Sequence, residues 1–209
     1  MENLQSLNPN KSKKALIALK ALIAIFLLPW VYSFTASFIN ESRVIKASLF
    51  NQFNWGVITF LVTYLFIYAP GKVYQKGQKI TEATFRFISP LVKVAPFVLP
   101  IYSILLFLLY FLIFRFVKSP LSLRMFMFFI GFSFIFHLTF TARTLHSRKD
   151  DFLMINYLFA FSIIYIINLC LLALGFSVLF KSFSWFNFSK TSFQIAQRIF
   201  SAAFNQLFL

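Results

Sequence analysis

Charge is scarce in this chain of 209 residues, and what there is has mostly one sign: 20 Lys and Arg stand against five acids. Charged residues make up 12% of the chain and hydrophobic ones 60%, with a mean hydropathy of +0.80. That leaves too little polar surface to clothe a soluble globule of this length, so the composition is that of a membrane protein. The lone cysteine, Cys170, excludes an intrachain disulfide and says nothing about compartment. There is no internal repeat, low-complexity linker or second domain. No acid or base is expected deep in an apolar run, as a proton relay or ion path requires, and no motif marks a Ser or Cys as a nucleophile. The basic residues form no dense stripe or recognition module, which excludes nucleic acid as a partner. Scattered over the loops, they suit anionic lipid headgroups.

What is present is apolar length. Five uncharged runs are each close to the roughly 20 helical residues that a hydrocarbon crossing takes: residues 21–39, 47–71, 94–114, 125–142 and 152–180. Lys20 can snorkel from the start of the first run. Lys11, Lys13 and Lys14 give that run the look of a signal peptide, but it is long for one and shows no small-x-small cleavage site, so it reads as a retained anchor. Unbroken runs disfavour a barrel, whose strands are short and alternating. The expected fold is all-α: a polytopic transmembrane bundle of about five crossings over residues 15–182, a basic tail over 1–14, and an amphipathic interfacial helix over 183–209. The run 152–180 exceeds one crossing and should tilt, protrude or break, with Asn168 and Gly175 as the places to look. Pro96 and Pro100 should mark an irregular entrance to the third crossing, because proline is best tolerated in a first turn.

In the C-terminal segment Phe193, Ala196, Phe200, Ala203, Phe204 and Leu207 recur at helical spacing, with Gln194, Gln197, Arg198, Ser201 and Asn205 on the other side. Ser189 or Ser192 would cap the start. The apolar face would lie in the headgroup boundary, on the bundle or against a partner helix. Basic residues in the tail, in 71–87 and in 143–149 slightly outweigh Arg43, Lys46, Arg115, Lys118, Arg124, Lys181, Lys190 and Arg198, a bias toward an inside N-terminus. His137 and His146, nine residues apart on one helix, would face opposite ways and could not share a metal; both read as interfacial side chains.

Three blocks occur in one order: GQKITEA at 77–83, VAPFVLPIY at 94–102, and FHLTFT at 136–141 followed by Asp151 and YLF at 157–159. Together they resemble a family of small bacterial membrane proteins related to the site-2-type intramembrane zinc metalloproteases, over about half the chain. In that family the first block reads Gly-His-Glu-x-Thr-His-Ala, the second is similar to LAPYFFPLY, and an aspartate precedes a YLF run. The resemblance implies a zinc site with two histidines four apart on one helical face and a glutamate acting as base toward metal-bound water.

Here the matching positions are Gln78, Lys79 and Glu82, with Asp151 at the aspartate position. A carboxamide is a poor zinc ligand, and an ammonium in place of the base repels a dication and accepts no proton. Two carboxylates without imidazole or thiolate suit harder cations. The expectation is therefore a vestigial site at Gln78, Lys79, Glu82 and Asp151, with no catalytic residue, no metal and no cofactor, and with Lys79 near the surviving carboxylates. The segment 85–92 is also shorter than the Gly-Gly-containing stretch of the family. The implied function is a non-catalytic pseudoprotease of the bacterial cytoplasmic membrane that binds another membrane protein. A residual metalloprotease and a small transporter or accessory subunit are the alternatives.

Overall fold

The computed structural model describes residues 9–66, 71–85, 95–114, 120–146 and 153–208. They form helices α1 (Pro9–Ser42), α2 (Ala47–Phe66), α3 (Gly71–Thr84), α4 (Ala95–Val98), α5 (Ile101–Phe114), α6 (Pro120–His146), α7 (Leu153–Leu179) and α8 (Trp185–Phe208). No strand occurs among the described residues, and the protein is an all-α helical bundle.

The connection between α1 and α2 is a tight turn in which the amides of Arg43, Val44 and Ile45 bond to the carbonyls of Asn40, Glu41 and Ser42. Helix α2 then lies along α6 in the most extensive helix pair of the molecule, while α1 packs on α7 and α8. The Thr35 and Tyr165 hydroxyls share a hydrogen bond of 2.9 Å between α1 and α7. The main core collects Phe38, Phe53, Met127, Ile130, Phe176 and Phe188, and a second cluster joins Phe60, Tyr74, Phe136 and Phe140 where α2, α3 and α6 meet. Outside these cores large apolar side chains face outward, among them Leu22, Ile25, Leu65 and Leu112. Such an outer surface matches hydrocarbon as its solvent.

Three segments among the described residues are long and apolar enough to cross a membrane: Ala18–Ser42, Leu121–His146 and Tyr157–Leu179. The other two expected crossings are not among these three, for visible reasons. Helix α2 carries Asn51, Gln52 and Asn54 near its start, which lowers its hydropathy. The third run is divided by its prolines, so that only Ile101–Leu112 remains as a shorter apolar helix. Pro96 sits in the first turn of α4 and Pro100 lies between α4 and α5, as their chemistry requires: Pro100 has no N–H with which to extend α4.

Helix α7 does not break at Asn168 or Gly175. Both are packing points: Asn168 is buried, and a Cβ on Gly175 would lie 2.4 Å from the Phe107 ring. Helix α8 is capped by neither Ser189 nor Ser192. It begins at Trp185, where the Ser184 hydroxyl accepts from the Asn187 amide at 3.2 Å and the Glu41 carboxylate accepts from the Ser184 amide at 2.9 Å. The negative charge of Glu41 thus stands at the positive end of the helix.

From that point α8 runs antiparallel along α1. The Ser37 hydroxyl donates to the Phe188 carbonyl at 2.7 Å, Trp30 meets Phe193 with ring centroids 5.1 Å apart, and Phe26 stacks on Phe200 at 4.5 Å. Of the face expected at the headgroups or on the bundle, Ala196 is buried and Phe200 half-buried, whereas Phe193, at the edge of the Trp30 ring, and Phe204 and Leu207 further along are exposed. The same course separates Arg198 from Lys181, which the sequence grouped on one side.

Candidate functional site

Below the break at Pro100 the backbone leaves carbonyls without their usual helical donors, and side chains from two other helices take them. Ile101 N–H turns back to Leu99 O. The Phe97 carbonyl accepts from His137 Nε2 on α6 at 3.1 Å, and the Val98 carbonyl accepts from Asn168 Nδ2 on α7 at 2.9 Å. Because a carbonyl only accepts, His137 carries its proton on Nε2. One turn along α6, Thr141 Oγ1 lies 3.5 Å from the same nitrogen and 2.9 Å from the Tyr74 hydroxyl of α3. Tyr74, Thr141 and His137 so form a buried polar chain that ties α3 to α6 and α6 to the broken segment. Burial pushes the Tyr74 phenol above its ordinary value of 10.0, while hydrogen bonds from the Thr141 and Gln78 side chains pull the other way.

Helix α3 is held against the bundle by a glycine. A Cβ on Gly77 would lie 2.6 Å from the Tyr102 ring, so only glycine at 77 lets Tyr102 of α5 lie across α3 and donate to the Val73 carbonyl. Tyr74, Gly77 and Thr81 form the buried face, and Lys72, Lys76 and Lys79 point to the opposite side. Beside Val73 and Tyr102 opens a groove of about 440 Å³ between α5 and α6, floored by Leu105, Leu106, Leu109, Phe129, Phe132 and Phe136. Its lining is apolar apart from two hydroxyls that are already bonded, Tyr102 to the Val73 carbonyl and Ser133 to Ser103 at 2.9 Å.

The three vestigial positions among the described residues, Gln78, Lys79 and Glu82, do not converge. Gln78 is half-buried beside Tyr74, whereas Lys79 and Glu82 are both exposed, and Lys79 does not pair with Glu82. Asp151, and with it the expected approach of Lys79 to that carboxylate, lies outside the described residues, as does the short segment 85–92 apart from Phe85. Among the described residues no three His, Cys, Asp or Glu side chains come together, and the only buried imidazole is committed to a backbone carbonyl. The described residues do not fit a zinc ion.

His137 corrects the sequence reading most: it is 3% exposed, not interfacial. His146 is exposed and lies against Tyr157, so the two histidines do face apart. A polar pair at i,i+4 inside an apolar run, His137 and Thr141, was the available signal. Tyr74 and Asn168 gave none, because their partners lie far away in the chain.

Comparison with protein-family models, with curated proteins and with solved structures finds no match to this chain. Fold and composition define the class, a helical membrane-type bundle, and any narrower assignment rests on the residues themselves.

Proposed function

We propose that this chain is a non-catalytic, multi-pass protein of the bacterial cytoplasmic membrane, built on a scaffold like that of the site-2-type intramembrane metalloproteases, which receives a membrane segment of another protein without cleaving it. Its five crossings are α1, α2, the α4–α5 pair, α6 and α7, with the Lys72, Lys76 and Lys79 stripe of α3 on anionic headgroups.

The observation that supports this reading is the groove of about 440 Å³, which begins at Val73 on the helix carrying the degenerate motif and continues between α5 and α6. Leu105, Leu109 and Phe129 on its walls are 43–52% exposed, so an apolar segment entering from the bilayer meets them directly. From Tyr102 to Leu109 the groove extends about 10 Å along α5, two turns of a docked helix. Gln78 and Lys79 stand where a protease of this kind would hold a ligand and a base, and neither side chain can perform that chemistry.

A photo-reactive amino acid at Leu105 or Leu109, with Leu65 as an outward-facing control, tests the reading in native membranes. The expected result is an adduct from the groove positions alone, with an intact transmembrane segment of another protein. Adducts with lipid only would overturn groove docking. One zinc per purified chain, together with cleavage of a membrane substrate that disappears in Glu82→Ala or Asp151→Ala, would restore the protease.

A further inference from the structure

Helix α8 has two opposite faces. One is packed: Phe188, Ser192 and Ala196 are buried against α1. The other carries Lys190, Gln194, Gln197, Arg198, Ser201 and Asn205, all exposed and confined to a band about 100° wide at 100° per residue. A helix like this ordinarily lies flat on a membrane with the polar band in water. This one does not lie across α1. It follows α1 from Ser37 at Phe188, past Trp30 at Phe193, to Phe26 at Phe200.

That contact runs inside Ala18–Ser42, a segment with the length and composition of a crossing. Arg198 falls between the levels of Trp30 and Phe26, close to the middle of the segment, and Gln194 and Gln197 lie between the level of Trp30 and that of Arg198. Lys190 sits nearer an end and can snorkel. A glutamine is too short to do so, and an arginine near mid-span is costly to leave against lipid.

We infer that the outer face of α8 is covered, within the membrane, by a transmembrane helix of another protein that carries carboxylates opposite Arg198 and Lys190. The charge on the face selects this occupant. It bears two cations and no acid, so a second copy of the same face would set like charges together in a medium of low dielectric. Nor does this chain offer a carboxylate from elsewhere among its described residues: Glu41 is bonded to the Ser184 amide at the far end of α8, and Glu82 is on α3. Glutamine and serine side chains add hydrogen-bonding capacity to the seam. This surface is separate from the α5–α6 groove, and the inference rests on the reading of α1 as a crossing, not on the groove.

The test uses the full chain in its native membrane. Single cysteines in a Cys170→Ser background at Gln194, Gln197, Leu22 and Lys46 are exposed to a membrane-impermeant maleimide from both sides, and a photo-reactive amino acid at Gln194 or Gln197 identifies the neighbour. Position 46 should label, and positions 22, 194 and 197 should label at least tenfold more slowly. The adduct should map to an apolar segment containing Asp or Glu. Arg198→Glu should reduce it at least tenfold, Arg198→Lys should keep it, and replacing the mapped carboxylate by Lys should restore it for Arg198→Glu.

Labelling at 194 and 197 as fast as at 46, with 22 protected, would place the polar face in water and overturn the inference. So would an adduct with a second copy of this chain, with lipid alone, or with a segment lacking carboxylates. Rapid labelling at 22 as well would refute the crossing assigned to α1, a failure distinguishable from the others.

Discussion

Gly56 of α2 and Gly131 of α6 lie on the two sides of one helix contact, and each admits the backbone of the other helix. A methyl group on Gly56 would lie 2.0 Å from the Phe128 carbonyl oxygen, and one on Gly131 would lie 2.1 Å from the Phe53 carbonyl oxygen. Neither obstacle is a side chain that can swing away. Small residues that allow two backbones to touch are a general device of helix association in membranes, where dispersion and packing replace the hydrophobic effect between helices.

Gly56→Ala or Gly131→Ala should therefore separate α2 from α6 and cost about 1–3 kcal/mol, as overpacking does elsewhere. Gly71→Ala is the matched control, since its added methyl would meet only the Phe140 ring at an ordinary 3.8 Å. Thermal unfolding of the detergent-solubilised variants checks the order. A Gly56→Ala protein as stable as Gly71→Ala would contradict the close approach.

His137→Ala should destabilise by about 2–4 kcal/mol, because it opens a cavity at a buried position and removes the hydrogen bond to the Phe97 carbonyl. His137→Gln, which offers an amide N–H, should recover part of the loss. Equal stability of the two variants would show that the hydrogen bond to Phe97 contributes nothing.

Asn168 uses the amide end of its side chain: Nδ2 donates to both Val98 and Ile164 at 2.9 Å, while Oδ1 has no hydrogen-bond partner among the described residues. Asn168→Asp replaces the donor by an oxygen facing two carbonyls. It should reduce the folded yield far more than Asn168→Ser, which retains one donor. Monodisperse protein recovered at wild-type yield from Asn168→Asp would refute the assigned orientation.

The Tyr74 phenol should ionise above its ordinary value of 10.0, because burial disfavours the phenolate. As its pKa is raised in the fold, the folded state holds the proton more tightly than the unfolded one. Its contribution is complete below pH 10.0, the ordinary value, and is lost as pH rises from there through the raised value. Tyr74→Phe should remove that part of the alkaline loss and cost about 1 kcal/mol near neutrality through the missing bond to Thr141. Ultraviolet-monitored pH titration and unfolding at pH 7 and pH 11 measure both effects.

Ser184→Ala should lower stability by about 1 kcal/mol through the lost cap of α8. Glu41→Gln, which keeps the accepting oxygen, should cost less than Glu41→Ala. The helix-start assignment fails if Ser189→Ala costs as much as Ser184→Ala.

The helical class was legible because uncharged runs as long as 152–180 have no other solution in a membrane, and the α4–α5 break because proline chemistry is local. The two faces of α8 were legible from spacing alone. What α8 packs against was not, since Phe193 and Phe200 suit a headgroup layer and an aromatic neighbour equally well. Helix α2 looked like a plain crossing because no charge interrupts it, although Asn51, Gln52 and Asn54 dilute it. The buried pairings were hidden for a simpler reason: Tyr74 with Thr141 and Val98 with Asn168 are separated by about seventy residues, and nothing local ties one partner to the other. The GQKITEA block drew notice by its likeness to a metal motif, but its structural contribution lies in Gly77, which admits Tyr102, and in Thr81 on the buried face.

The carbonyls released at Pro100 also bear on how the chain is made. Synthesis runs from the N-terminus, so the segment from Ala95 to Leu112 reaches the membrane before His137 and Asn168 exist. Until then neither the His137 bond to the Phe97 carbonyl nor the Asn168 bond to the Val98 carbonyl exists, and a backbone group left unsatisfied in hydrocarbon costs several kcal/mol. Settling of the third hydrophobic segment is thereby coupled to the arrival of two later helices, and a chain truncated after α5 should cross-link to the translocation channel for longer than one that continues through α7.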